Sequence, residues 1–116
     1  MKKTVEMTAA GKKWELCFTI RSLAVFERKI GKSVISLIAG GVVHMVERMD
    51  IDATVAGLRC ALSLSEDAAY DLIDEVCQGG GNLDYINGCI LEAIRATGLF
   101  DPMEQDAEAE DVAGKQ

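Results

Sequence analysis

Two stretches near the start of the chain alternate between apolar and other residues, as expected for β-strands that bury one face. In residues 2–8 and 13–20 the apolar positions are Val5, Met7, Trp14, Leu16, Phe18 and Ile20, and the positions between them are Thr4, Glu6, Thr8, Lys13, Glu15, Cys17 and Thr19. Ala10-Gly11-Lys12 separates the two stretches, and Gly11 can adopt the positive φ that tight turns need. The pattern predicts a β-hairpin over residues 2–20, with Trp14 and Phe18 on its buried face.

From residue 21 onwards the apolar spacing becomes that of amphipathic helices, with an apolar residue every three or four positions. Residues that commonly begin or end helices occur at intervals: Gly31, Ser33, Gly40-Gly41, Asp50 or Asp52, Ser65, Gly79-Gly80-Gly81, Asn82 and Gly98. They divide residues 21–100 into four to five short helices. We therefore expect an α+β fold that is mostly helical, in which the hairpin and a helical bundle form one domain over residues 1–100.

Residues 101–116 differ from the rest because they contain six acidic residues and few side chains that a core could bury. This composition predicts a disordered acidic tail. The net charge of −7 is uneven: residues 1–32 carry eight Lys or Arg against three Glu, whereas residues 33–100 carry three Arg against ten acidic residues. Proteins that bind nucleic acid are usually basic, so we do not expect nucleic acid as a partner.

The start of the chain and its longest apolar stretch bear on location. Met1-Lys2-Lys3 is followed by a mixed run, not by the apolar segment of a signal peptide. Gly40-Gly41, His44 and Glu47-Arg48 interrupt the longest apolar stretch, which is too short for the roughly 18 residues of a membrane span. We therefore expect a soluble protein that is not secreted and has no membrane partner.

Residues that could carry catalysis do not form a known constellation. The cysteines lack zinc-site spacing and are expected to be reduced thiols in the core; they are Cys17, Cys60, Cys77 and Cys89. His44 is the only histidine, and the spacing fixes no partner beside it. Gly31-Lys32-Ser33 matches the end of a nucleotide-binding loop, but Phe26 stands where that loop needs its first glycine, so a boundary between helices is favoured. We expect no enzymatic activity, cofactor or metal.

Residues 42–49 stand out because apolar side chains surround most of a short predicted helix. They are Val42, Val43, Met45, Val46 and Met49. A segment with so little polar surface is either central core, which is favoured, or an adaptable surface that docks another protein. Asp71, Asp74 and Glu75, by contrast, lie opposite the apolar stripe of their helix, which predicts a solvated face.

Several stretches share their order of features with one protein family. They are Trp14–Ile20, Leu23–Ser33 running into Val34–Ile38, Ala56–Leu62, Ser65–Asp67 and Ile90–Ile94. In these respects the chain, from roughly residue 14 to residue 100, resembles the tail assembly chaperones of long-tailed bacteriophages and prophages. In that family a strand leads into a helix with an aromatic residue or leucine followed by Glu, then Leu or Ile and a break similar to Gly-Lys-Ser.

The resemblance implies a non-enzymatic protein of the bacterial host cytoplasm that binds the tape-measure protein, keeps its long apolar helices soluble and helps recruit tail-tube subunits. It also implies that a longer, frameshifted form can be made, and it assigns no individual binding residue. An acidic regulatory or inhibitor protein that blocks a basic partner stays open as an alternative, as does a small enzyme using His44 or a cysteine. A homo-oligomer is compatible with all three.

Overall fold

The computed structural model describes residues 4–9, 11–39 and 49–101 of the chain. Within these residues the chain forms two strands and five helices. They are β1 (Val5–Ala9), β2 (Lys12–Leu16), α1 (Ile20–Ile30), α2 (Val34–Ile38), α3 (Ile51–Leu62), α4 (Glu66–Gln78) and α5 (Leu83–Arg95). The predicted fold is thereby confirmed: a hairpin is followed by a mostly helical body. The tail predicted over residues 101–116 lies outside the described residues, apart from Asp101.

The hairpin is antiparallel and has a tight turn, with Ala9 opposite Lys12 and Met7 opposite Trp14. Gly11 in the turn has a φ of 76°, as the sequence predicts. Because side chains alternate along a strand, Met7, Trp14 and Leu16 share one face, on which Met7 and Leu16 are fully buried and Trp14 is half-buried. This face packs on the helices, whereas the opposite face is exposed.

The second strand ends at Leu16, before the predicted end of the hairpin at residue 20. The Cys17 backbone N–H donates to the Ala61 carbonyl oxygen of α3, 3.2 Å away, so the chain leaves the hairpin and joins the helical layer. Phe18 is buried as predicted, but Ile20 is 70% exposed. The prediction that Ile20 faces the core is wrong because Ile20 is the first residue of α1, where strand alternation no longer applies.

The corner between α1 and α2 is fixed by local hydrogen bonds. Thr19 begins α1 as part of a capping box, and Gly31 ends it with a φ of 71°. Ser33 caps α2, and the Glu27 carboxylate accepts a hydrogen bond from the Val34 backbone N–H at 2.8 Å. These contacts confirm that Gly31-Lys32-Ser33 is a boundary between two helices, and Glu27 holds those helices together.

The centre of the fold is α3, which packs against α1, α4, α5 and β2. A Cβ atom added to Gly57 would lie only 2.8 Å from Ile90 Cδ1, so the missing side chain lets α3 approach α5 closely. One turn earlier, the buried Thr54 hydroxyl donates to the Asn87 side-chain oxygen. Position 54 therefore contacts position 87, and position 57 contacts position 90. Because the numbers rise together, α3 and α5 run in the same direction where they touch.

The remaining helix ends follow the predicted signals with small differences. Asp50, and not Asp52, caps α3, while Ser65 and Asn82 cap α4 and α5 as predicted. The last helix ends at Arg95, although the spacing predicts helix up to Thr97. No helix in the described part of the chain is long and apolar enough to cross a membrane.

Candidate protein-binding surfaces

The predicted docking segment is described at one residue only. Val42, Val43, Met45 and Val46 lie outside the described residues. The Met49 side chain is 5% exposed and belongs to the apolar core. Met49 therefore has the position of a core residue and offers little surface to a partner in this conformation.

A groove between α1 and the end of α3 combines positive charge with apolar surface, and we name it the cationic groove. It encloses about 350 Å³. Its lining includes Arg21, Val25 and Lys29 of α1 together with Arg59, Cys60 and Leu64 at the end of α3. Spacing of four residues places Arg21, Val25 and Lys29 on one face of α1. The packing of α1 on α3 brings Arg59 to the same cavity.

The cationic groove concentrates charge that other side chains do not neutralise. Among the described residues, no carboxylate lies within the 4.0 Å ion-pair distance of Arg21, Lys29 or Arg59. Burial raises the pKa of the Cys60 thiol, although Lys29 and Arg59 both act to lower it. Lys29 and Arg59 therefore lie close enough to Cys60 to favour the charged form of its thiol.

One cation of the groove faces a second, smaller cavity. Lys29 also lines a space of about 210 Å³ at the junction of α1, α2 and α3, together with Lys32, Asp50 and Asp52. The two aspartates belong to the cap and first turn of α3, where they complement the helix dipole. Arg21 and Arg59 are thus the cations of the cationic groove that have no acidic residue among their cavity neighbours.

A second groove, between the hairpin and α4, has the opposite charge, and we name it the tryptophan groove. It encloses about 430 Å³ and is lined by Trp14, Leu64, Leu72, Asp71 and Glu75, among others. Lys12 Nζ lies 5.0 Å from the centre of the Trp14 ring, which is a cation–π contact. The Trp14 indole N–H is buried without a hydrogen-bond partner among the described residues. Leu64 lines both grooves, so they meet at the connection between α3 and α4.

The predicted solvated face of α4 is confirmed. Asp71, Asp74 and Glu75 are all exposed, and the buried residues of this helix are Ala69, Leu72 and Val76. Glu66 and Asp67 add two further exposed carboxylates in the first turn. The exposed side of α4 is therefore strongly acidic, and Asp71 and Glu75 extend this charge to the tryptophan groove.

Residues considered for catalysis are dispersed. Cys89 is buried, and Cys17 and Cys60 are partly buried. Cys77 is exposed, so the prediction that all four thiols lie in the core is wrong at this position: Cys77 follows Val76, and one helical step turns it away from the buried stripe. Within the described ranges no three His, Cys, Asp or Glu side chains are grouped as metal ligands, and His44 lies outside those ranges.

Comparisons of the chain with family models, with curated proteins and with solved structures found no match. The described surface offers two adjoining grooves of opposite net charge, each lined in part by apolar side chains. Such grooves suit polypeptide segments that carry both apolar and charged side chains. Sequence reasoning detected the excess of basic residues before residue 33 but missed the cationic groove, because Arg59 joins it only through the packing of α1 on α3.

Proposed function

We propose that this protein is a non-enzymatic tail assembly chaperone of a long-tailed bacteriophage or prophage, which acts in the bacterial host cytoplasm. Its client is the tape-measure protein, whose long apolar helices it keeps soluble, and it helps recruit tail-tube subunits. The proposal originates in the sequence resemblance over Trp14–Ile20 and Leu23–Ser33.

The observation that supports it best is that the residues of the resemblance have structural roles in this fold. Phe26 is fully buried, Glu27 accepts the Val34 N–H bond, Gly31 adopts the left-handed conformation, and Ser33 caps α2. A shared order of such residues therefore favours a shared α1–α2 corner.

Apolar side chains that the core leaves exposed give a chaperone a means of contact with an apolar client. Ile35 of α2 is 60% exposed and Ile51 at the start of α3 is 56% exposed. These two helices flank the segment that contains Val42 and Met45 in the sequence. We therefore assign client binding to α2, the start of α3 and the sequence between them.

Co-expression with the tape-measure protein of the same tail gene cluster tests the proposal. We expect the client to become soluble and to co-purify with this protein, and no hydrolase, transferase or nucleotide-binding activity to be detected. A client that is fully soluble on its own would remove the case for a chaperone. A gene neighbourhood without a tail-tube gene or a very long helical gene would also contradict the proposal.

Charged substitutions locate the client surface. One variant carries Val42→Asp and Met45→Asp, and a second carries Ile35→Asp and Ile51→Asp, since both of these isoleucines are exposed. We expect both variants to lose the client while their melting temperatures stay near that of the parent. Met49→Asp serves as the contrasting case, because a charge at this buried site should unfold the protein. Retention of the client by both folded variants would exclude this surface.

The acidic face of α4 favours the alternative, an acidic inhibitor that blocks a basic partner. Asp71→Asn, Asp74→Asn and Glu75→Gln together remove three exposed charges with little change in shape. If the protein acts as a charge mimic, these changes should abolish binding of its partner. If it acts as a chaperone of apolar helices, they should leave client binding nearly unchanged.

A further inference from the structure

The cationic groove contains more positive charge than its described surroundings balance. Two basic side chains outside the groove have partners: Lys13 Nζ lies 3.9 Å from the Glu6 carboxylate, and Lys12 lies over the Trp14 ring. In the groove, by contrast, cations from two helices line one cavity together with Val25, Cys60 and Leu64, and none of its described lining residues is acidic. A ligand for this groove should therefore carry several carboxylates and small apolar side chains.

The chain itself contains a segment of that composition. Residues 102–116 include five acidic residues and one lysine, and the carboxylates alternate with alanine in Asp106-Ala107-Glu108-Ala109-Glu110. Small apolar residues between the charges match a groove whose lining includes Val25, Cys60 and Leu64. The acidic face of α4 and the carboxylates of the tryptophan groove would repel the same segment.

The path of the chain makes this contact reachable. Because α3 and α5 run in the same direction, their carboxyl-terminal ends lie at the same end of the fold. The cationic groove includes the end of α3, and the described chain stops at Asp101, shortly after α5, where the Asp101 N–H donates to the Gly98 carbonyl oxygen at 3.2 Å. Fifteen residues follow, which span up to roughly 50 Å when extended.

We propose that the acidic segment 102–116 docks into the cationic groove of the same molecule, with its carboxylates near Arg21, Lys29 and Arg59. Covalent attachment gives the segment an effective concentration on the order of millimolar, so weak ionic contacts suffice to populate the docked state. The groove is then occupied until a more acidic partner or high salt displaces the segment. This inference does not depend on the identity of the client.

Nuclear magnetic resonance of the full chain tests the proposal. One variant replaces the five carboxylates by amides: Glu104→Gln, Asp106→Asn, Glu108→Gln, Glu110→Gln and Asp111→Asn. At low salt we expect this change to move the backbone amide signals of Arg21, Val25, Lys29, Arg59 and Ser63 and to leave those of the hairpin in place. In 1 M salt, where the Debye length is about 3 Å, parent and variant should give the same groove signals.

A matched pair on α1 provides the reciprocal test. Arg21→Gln removes one groove charge, whereas Arg28→Gln removes one charge from an exposed position of the same helix outside the groove. Arg21→Gln should shift the signals of residues 102–116 towards their high-salt positions, and Arg28→Gln should not. Equal effects of the two variants, or unchanged groove signals in the amide variant, would overturn the proposal. So would signals that change on dilution, because they would place the segment of a second molecule in the groove.

Discussion

Gly57 of α3 and Gly88 of α5 should respond to replacement by alanine with opposite changes in stability, because only Gly57 lies in the close contact between the two helices. In a helix interior, Gly→Ala normally stabilises by up to about 1 kcal/mol because alanine has the higher helix propensity. At Gly88 of α5, an added Cβ would meet nothing within 4 Å, so Gly88→Ala should show this gain. Its melting temperature should rise by about 4–8 °C for each kcal/mol.

At Gly57 the same substitution should destabilise the fold. The added Cβ would lie 2.8 Å from Ile90 Cδ1 and 3.1 Å from Ile90 Cγ2. Ile90 is fully buried and branched at Cβ, so it cannot turn both atoms away without displacing its neighbours. Overpacking of a core typically costs about 1–3 kcal/mol, which outweighs the propensity gain. After subtraction of the propensity gain we expect a net loss of up to about 2 kcal/mol in the free energy of unfolding, measured by urea titration.

A double-mutant cycle identifies the clash. Ile90→Val removes Cδ1, the atom nearest to the new Cβ, and by itself should cost about 0.5–1.5 kcal/mol. Combined with Gly57→Ala, it should cost less than the sum of the two single changes by about 0.5 kcal/mol or more. If Gly57→Ala stabilised the protein as much as Gly88→Ala does, α3 and α5 could not be in the close contact described above.

Three further predictions concern the core, the thiols and the tail. Phe18→Ala should lower the free energy of unfolding by about 3–5 kcal/mol, since Phe18 is 4% exposed and its ring centre lies 5.8 Å from that of Phe26. If urea titration shows almost no change in stability, the site is instead a partner surface. In the native protein a thiol reagent at pH 8 should modify the exposed Cys77 before Cys60 and Cys89, because burial shields both of these thiols and raises their pKa values, which reduces their thiolate fractions. Faster labelling of Cys89 would contradict its burial. Removal of residues 101–116 should lower the melting temperature by less than about 5 °C, because ionic contacts at a surface contribute little to stability. A larger drop would show that the segment packs on the core.

Local chemistry explains which parts of the fold were predictable. Capping is decided within a few residues, so Ser33, Ser65 and Asn82 were recognised as helix starts and Gly31 as a helix end. The apolar spacing likewise identified the buried stripes of the helices. These signals sufficed for the fold class and for most element boundaries.

Contacts between distant residues explain what was missed. The end of β2 depends on the bond from Cys17 to Ala61, which lies 44 positions further along the chain. Strand alternation alone could not show that Ile20 would begin a helix. The cationic groove requires Arg59 and Arg21 to line the same cavity, and only the packing of α1 on α3 brings them there. Candidate binding surfaces in such a small helical fold are therefore harder to predict than the helices that form them.

Ionic strength separates the two proposed functions. A chaperone that covers apolar stripes should keep its client in 1 M salt, since burial of apolar area does not depend on charge screening. An inhibitor that presents the acidic face of α4 should release a basic partner under the same conditions. The docked acidic segment would also be released, which would open the cationic groove. Client binding that becomes stronger as salt rises would therefore mean that the client uses the cationic groove as well as the exposed apolar residues. Binding that becomes weaker as salt rises would favour the inhibitor function.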